Sequence, residues 1–183
     1  MALPFPDPPL TDGDVTLRAW RRSEERQRFE AFSDPVVQRF SWPSAEPFTW
    51  EQMDGRFDAQ EADRLAGISL NLAIVDAERP DVLLGAGSLY DVDPAEERAS
   101  VGYWVVADAR GRGVATRALR LMSAWAFEEL SLARLELTCG PDNLASQRVA
   151  EKAGFTREGV LRSHMRFKDG RRDTVVYSLL PTD

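Results

Sequence analysis

At 183 residues, 43% hydrophobic and 29% charged, the chain is long enough for one domain with a real core and too short for two full ones. A single cysteine, Cys139, excludes an intramolecular disulfide framework, and no apolar run approaches a membrane span, so the expected setting is the reducing cytoplasm. The formal net charge of -7 argues against direct nucleic-acid binding, yet it is lopsided: residues 1–98 hold 20 Asp/Glu against 10 Lys/Arg, and residues 99–183 hold 10 against 13, which leaves room for a polyanionic small molecule on the C-terminal half.

The proline-rich residues 1–10 lack the basic start and continuous apolar stretch of a signal peptide and read as a leader laid on the surface. Residues 15–19 alternate with polar positions as a first strand. Ser23 then caps a helix to about Phe32, Ser33-Asp34-Pro35 interrupts it, and residues 36–40 make another short helical turn. Thr49 followed three residues later by Gln52 forms a capping box for a helix running from Trp50 to about Ala62. Residues 68–75 and 82–90, separated by the turn-like Glu78-Arg79-Pro80-Asp81, form a hairpin that residues 99–106 extend to three neighbouring antiparallel strands.

Val114, Ala118, Leu121, Met122 and Trp125 recur at helical spacing, which predicts a helix over residues 113–130 with an apolar face wide enough to lie on a sheet. A strand at 134–138 follows, then a helix at 143–153 ended by Gly154, then strands at 155–164 and 174–180 around Lys168-Asp169-Gly170. Neither a repeat nor a Gly/Ser-rich linker divides the chain. The expectation is one α+β domain over residues 1–183, a mixed sheet with helices on its faces.

Between the third of the neighbouring strands and the long helix lies Arg110-Gly111-Arg112-Gly113-Val114-Ala115. Glycines there let backbone N–H groups approach a phosphate, the first N–H groups of a helix lack intrahelical partners, and the helix dipole adds positive potential. Arg110 and Arg112 would add charge-assisted hydrogen bonds. The Gly-x-Gly pattern alone also fits a tight strand-to-helix connection. A dinucleotide fingerprint is incomplete, because Thr116 and Arg117 follow in place of a third glycine, and no Gly-Lys-Ser/Thr supports a P-loop.

In this context the sequence resembles the GNAT superfamily of N-acyltransferases, whose hallmark Arg/Gln-x-x-Gly-x-Gly/Ala is met at every position from Arg110 to Ala115. Val101-Gly102-Tyr103-Trp104-Val105-Val106, Pro141-Asp142-Asn143-Leu144-Ala145-Ser146, Glu151-Lys152-Ala153-Gly154-Phe155 and Arg157-Glu158-Gly159 are similar to the RimJ/RimL-like branch, which includes N-terminal acetyltransferases of ribosomal proteins. The resemblance covers about residues 10–181 and is specific between Val101 and Gly159. It implies a central, mostly antiparallel sheet that splays, with helices on both faces.

It also implies acetyl-CoA or another acyl-CoA as donor, held by Trp104, Val105, Val106, Arg110, Gly111, Arg112, Gly113, Val114, Ala115, Thr116, Asn143 and Ser146. A backbone N–H near Val106 would contact the developing oxyanion. Asn143 takes the family's pantetheine-contacting position, a helix N-cap, or both. Ser146 stands where RimL-like members protonate the departing thiolate; its other reading is a small helix residue without a chemical role. Many GNAT proteins use a tyrosine one turn further on, where this chain has Ala150.

The residues alone identify no general base. Glu158 is the nearest motif-borne carboxylate and also reads as an outward-facing strand residue, and His164, the only histidine, reads as a surface residue. Cys139 lacks a histidine at a recognisable distance, which favours a buried apolar role and direct transfer over an acyl-enzyme. No cluster has metal-ligand spacing. Phe40, Trp42, Phe48 and Trp50 are helix and loop core or the lining of an acceptor pocket.

The expected activity is transfer of an acetyl or larger acyl group to a primary amine, on a protein N-terminus or a small molecule, and the acidic N-terminal half points to a cationic acceptor. A non-catalytic acyl-CoA sensor or interaction module is the alternative, and nucleotide binding unrelated to acyl transfer a third. A monomer and a homodimer are both compatible with the sequence.

Overall fold

In a computed structural model, which describes residues 2–168 and 170–183, the elements run β1 (Leu10–Thr11), β2 (Val15–Ala19), α1 (Glu25–Phe32), α2 (Pro35–Ser41), α3 (Trp50–Met53), α4 (Arg56–Ala66) and β3 (Leu70–Asp76). They continue as β4 (Leu83–Asp93), β5 (Arg98–Val105), α5 (Val114–Leu130), β6 (Arg134–Cys139), α6 (Leu144–Ala153), β7 (Thr156–Phe167) and β8 (Gly170–Leu179). The strands make one sheet in the order β1-β2-β3-β4-β5-β6-β8-β7. Among the described residues only β5 and β6 pair in parallel. The expected turn at Lys168-Asp169-Gly170 includes Asp169, which lies outside the described residues.

Strand periodicity explains why both faces are covered. Along β3, Leu70, Leu72 and Ile74 join Ala118, Leu119, Met122 and Ala126 of α5 in the main core, whereas Ala73 and Val75 point the other way, toward Trp20, Trp104 and Ala31 of α1. The α5–α6 pair thus covers one face and the N-terminal helices the other.

Three local expectations need correction. The helix expected from the Thr49–Gln52 capping box does form, with the Thr49 N–H donating to Gln52 Oε1 at 2.9 Å, but it breaks after Met53 because Gly55 takes a φ of +73° before α4 begins. Ser23 is not the cap of α1; it lies within a short turn of tighter helix, Arg22–Glu24, where Glu24 accepts from the Arg21 N–H at 2.8 Å and pairs with Arg18 at 2.5 Å. The leader is not merely laid on the surface. Leu3 is only 5% exposed within the core; its N–H donates to the Arg64 carbonyl at the end of α4 at 2.9 Å, and its carbonyl accepts from Arg64 Nη1 at 2.6 Å.

The feature that positions the site is a splay. β5 and β6 pair only through Arg98–Arg134, Ala99–Leu135 and Ser100–Glu136, although β5 continues to Val105 and β6 to Cys139. Beyond Ser100 the facing edges carry backbone donors and acceptors that need another partner. Among the described residues no helix is long and apolar enough to cross a membrane.

Candidate active site

The chain leaves β5 through a short turn at Ala107–Ala109 and enters α5 over two glycines in the left-handed region, Gly111 at φ +73° and Gly113 at φ +81°. A Cβ on either would meet nothing within 4 Å, so backbone conformation and not crowding demands glycine here, and the space above them is open. The first backbone bond of the helix runs from the Arg117 N–H to the Gly113 carbonyl at 3.0 Å. The N–H groups of Val114, Ala115 and Thr116 therefore precede any intrahelical acceptor, at the positive end of a 17-residue dipole.

That helix start closes one end of a groove of about 470 Å³ between β5 and α6, with Val36, Val37 and Phe40 of α2 as its outer wall. Of the residues expected to hold the donor, Trp104, Val105, Arg110, Gly111, Gly113, Val114, Ala115, Thr116, Asn143 and Ser146 line it. Val106 and Arg112 do not.

The loop arginines behave differently from expectation. Arg110 is committed to the protein: Nε donates to the Val105 carbonyl at 3.1 Å and Nη2 to Asp34 Oδ1 at 2.5 Å. The same Asp34 oxygen caps α2, accepting from the Val36 and Val37 N–H groups at 2.9 and 3.0 Å. Partial burial raises the Asp34 carboxyl, but the bonds from Arg110 and the backbone outweigh it and hold the group below its ordinary value. Arg110 is thus a latch between α2 and the end of β5. Arg112 reaches only the Asp108 carbonyl, at 3.5 Å and exposed.

The cations that do line the groove besides Arg110 are Arg148 and Lys152, four residues apart on α6. Their spacing was visible in the sequence, but no motif drew attention to it. Asp34→Ala should cost about 1 kcal/mol for the lost cap. It should also weaken donor binding by releasing the α2 wall. Chemical denaturation and titration with acetyl-CoA measure the two effects separately, and unchanged affinity would limit the latch to a structural role.

A second cavity, about 360 Å³, adjoins the groove and shares Phe40, Ser41, Tyr103, Trp104, Asn143 and Ser146 with it. At this junction Asn143 caps α6, its Oδ1 accepting from the Ser146 N–H at 3.1 Å. The Tyr103 hydroxyl donates to Ser146 Oγ at 3.1 Å. Burial pushes the Tyr103 phenol up to about 12, with the Ser146 bond opposing the shift, so it stays a proton donor at any working pH. The sequence places Tyr103 in the strand motif Val101–Val106 but gives it no role of its own.

Val106 does not supply the oxyanion contact expected of it, because its N–H is already donated to the Leu84 carbonyl at 3.0 Å. Ala150 is fully buried in the main core and opens onto neither cavity. Glu158 is held by Arg134 at 2.6 and 2.8 Å and by Ser178 Oγ at 2.7 Å, which brings its pKa down to about 2, and it lines neither cavity. His164 is an exposed residue of β7 and lines neither, although its neighbour Met165 lines the second cavity.

Cys139 is 5% exposed on the wall of the second cavity, and burial raises its thiol. The aromatic stretch divides: Phe40 and Phe48 line the cavity, while Trp42 packs on Phe48 at 5.0 Å and Trp50 on Phe29 at 5.3 Å. Among the described residues that line the cavity there is no Asp, Glu, His or Lys; its charged members are Arg28, Arg56 and Arg172. No group of metal-ligating side chains occurs among the described residues.

A mixed sheet splayed beside an unpartnered helix start, with Asn143 and Ser146 at the gap, is the architecture of a GNAT-type domain. The chain belongs to that family: the family described as Acetyltransferase (GNAT) domain matches residues 14–156. It is 37% identical over 98 residues to YdaF of Bacillus subtilis (strain 168), 54% of each chain. It is 29% identical over 100 residues to the ribosomal-protein-serine acetyltransferase of Escherichia coli (strain K12), 55% of this chain and 56% of that one.

The aligned segment thus spans little more than half the length of these curated relatives. The solved structure of Mycobacterium smegmatis RimJ in complex with CoA-disulfide superposes with a TM-score of 0.79 at 25% identity, covering 95% of this chain and 86% of that one. These likenesses match the RimJ/RimL-like branch and the mostly antiparallel, helix-flanked sheet read from the sequence.

Proposed function

We propose that this chain is an N-acyltransferase that moves an acetyl, or larger acyl, group from acyl-CoA directly to a primary amine. The observation that carries the proposal is the Tyr103–Ser146 hydrogen bond at the one place where a groove ending on a bare helix start meets an aromatic-lined cavity. The donor supplies the acyl group already activated as a thioester. The N–H groups of Val114, Ala115 and Thr116, with Arg148 and Lys152, meet its pyrophosphate charge, and the open edge of β5 offers backbone partners to its amide-bearing arm. RimJ, a structural relative solved in complex with CoA-disulfide, supports the donor.

Since the Val106 N–H is spent on β4, alternation along the antiparallel ladder turns the neighbouring Val105 N–H toward the gap. Val105 is the donor placed to stabilise charge on the carbonyl oxygen as the amine attacks. Ser146, receiving a hydrogen bond from Tyr103, keeps its own proton free for the departing sulfur. The acceptor amine, on a protein N-terminus or a small molecule, enters from the second cavity. Such chemistry suits the reducing cytoplasm, where the lone thiol stays free.

Among the described residues that line the groove and the cavity there is no carboxylate or histidine to act as a base near neutral pH, so the amine must arrive neutral. We expect kcat/KM to rise tenfold per pH unit and bend at the acceptor's own pKa, about 8 for an α-amine and about 10.4 for a lysine-type amine. Profiles for one acceptor of each kind check this, and a bend fixed at one pH for both would mean an enzyme-borne base. The same lack of a base favours the second reading, a non-catalytic acyl-CoA sensor. A coenzyme A release assay over a panel of amines, peptides and ribosomal proteins separates them, because a sensor binds acetyl-CoA tightly and turns over with none.

A further inference from the structure

We infer that the ligand of the second cavity carries, beside its amine, a carboxylate or phosphate group held by Arg28, Arg56 and Arg172. The inference rests on the proposed transfer only in calling this ligand the acceptor. The three arginines come from α1, α4 and β8 and face one cavity of about 360 Å³, at the small end of ligand pockets. Elsewhere, among the described residues, arginines either meet carboxylates, as Arg18, Arg22, Arg64, Arg110, Arg117 and Arg134 do, or stand exposed without an ion pair, as Arg98, Arg112 and Arg148 do. Among the described residues, Arg28, Arg56 and Arg172 form no ion pair.

Aromatic rings hold them instead. Arg28, 6% exposed, lies over Trp20 at 4.7 Å and Phe57 at 5.5 Å, with one donor bonded to Gln60 Oε1 at 2.8 Å. Arg56 lies over Phe48 at 5.6 Å and Phe32 at 5.9 Å. Arg172 lies over Phe167 at 3.5 Å, and its Nε is buried without a partner. A stacked guanidinium keeps its edge donors for an in-plane acceptor, the geometry that carboxylate and phosphate oxygens match.

The arrangement is electrostatically unsatisfied. Burial and then the neighbouring Arg56 depress Arg28 to about 10, and Glu25 only partly offsets them. Near Arg172 the carboxylate that is felt is Asp142, which pairs with Arg39 at 3.1 Å; neither Glu25 nor Asp142 lines the cavity. Buried cations without counter-charge are costly, and an anionic ligand removes that cost. The acidity of the N-terminal half, which suggested a cationic acceptor, lies outside the cavity. Phe32, Phe40, Phe48 and Trp104 add room for an apolar body.

Titration calorimetry on the protein saturated with coenzyme A tests this in two pairs, L-phenylalanine against L-phenylalaninamide and phosphoethanolamine against ethanolamine, with spermidine and a serine-initiated peptide amide as further probes. At least one acid should bind ten-fold or more tightly than its partner lacking the acidic group, and which pair responds tells carboxylate from phosphate. Arg56→Gln and Arg172→Gln should each reduce that preference about ten-fold while coenzyme A affinity and thermal unfolding stay unchanged. Arg28→Gln should do more, but the two less buried sites decide the matter if that variant misfolds. Equal binding within both pairs, tightest binding of spermidine or of the peptide amide, or a preference that survives both substitutions would overturn the inference. Failure of coenzyme A to bind would count against the donor groove alone, since the same preference can be titrated in the protein without it.

Discussion

Gly113→Glu is expected to lower acetyl-CoA affinity at least a hundred-fold, about 2.7 kcal/mol, while the protein still folds. Two effects of the substitution can be separated. A non-glycine residue at a φ of +81° costs about 1–2 kcal/mol wherever its side chain points. No protein atom lies within 4 Å of the new Cβ, so clash adds nothing. The carboxylate instead enters the open space above the helix start and places negative charge where the donor's pyrophosphate is to sit. Gly113→Ala carries the same backbone strain with neither length nor charge. It should bind far better than Gly113→Glu in the same calorimetric titration, and a glutamate variant that keeps wild-type affinity would remove the phosphate site from this loop.

Ser146→Ala is expected to reduce kcat by about a hundred-fold, the lower end of what a positioned proton donor contributes, with the dissociation constant for acetyl-CoA unchanged. The effect stays at that end because a thiolate leaves readily even without a proton. Tyr103→Phe removes the donor to Ser146 Oγ and frees the hydroxyl to rotate, so a smaller loss, about ten-fold, is expected. If the two act as one unit, the double variant should be little slower than Ser146→Ala alone. Steady-state kinetics at saturating donor, with binding measured in parallel, distinguishes this from a packing role. An unchanged kcat in Ser146→Ala would reduce the serine to a neighbour of the Asn143 cap.

Most of the scaffold was legible because its signals are local. The period of two in Leu70–Asp76, the helical recurrence from Val114 to Trp125 and the glycines at 111, 113 and 154 are each set by a few adjacent residues. What escaped was decided by partners far along the chain. Arg110 looked free for phosphate until Asp34, 76 residues earlier, was found beside it. The use of the Val106 N–H depends on which carbonyl of β4 lies opposite, and the role of Tyr103 on a serine 43 residues away. Leu3 reads as part of a surface leader because nothing nearby reveals that Arg64 waits to receive it.

The splay has a mechanical consequence. With only three residue pairs joining β5 to β6, the sheet is in effect two plates, β1 to β5 and β6 to β8, sewn together at one end. The seam that holds them is short, and Asn143 and Ser146 stand on the far plate from Tyr103 and Val105. A donor lying in the gap would bridge the open length of that seam, and on the proposed function it would join the two plates at the place where Val105, Tyr103 and Ser146 meet.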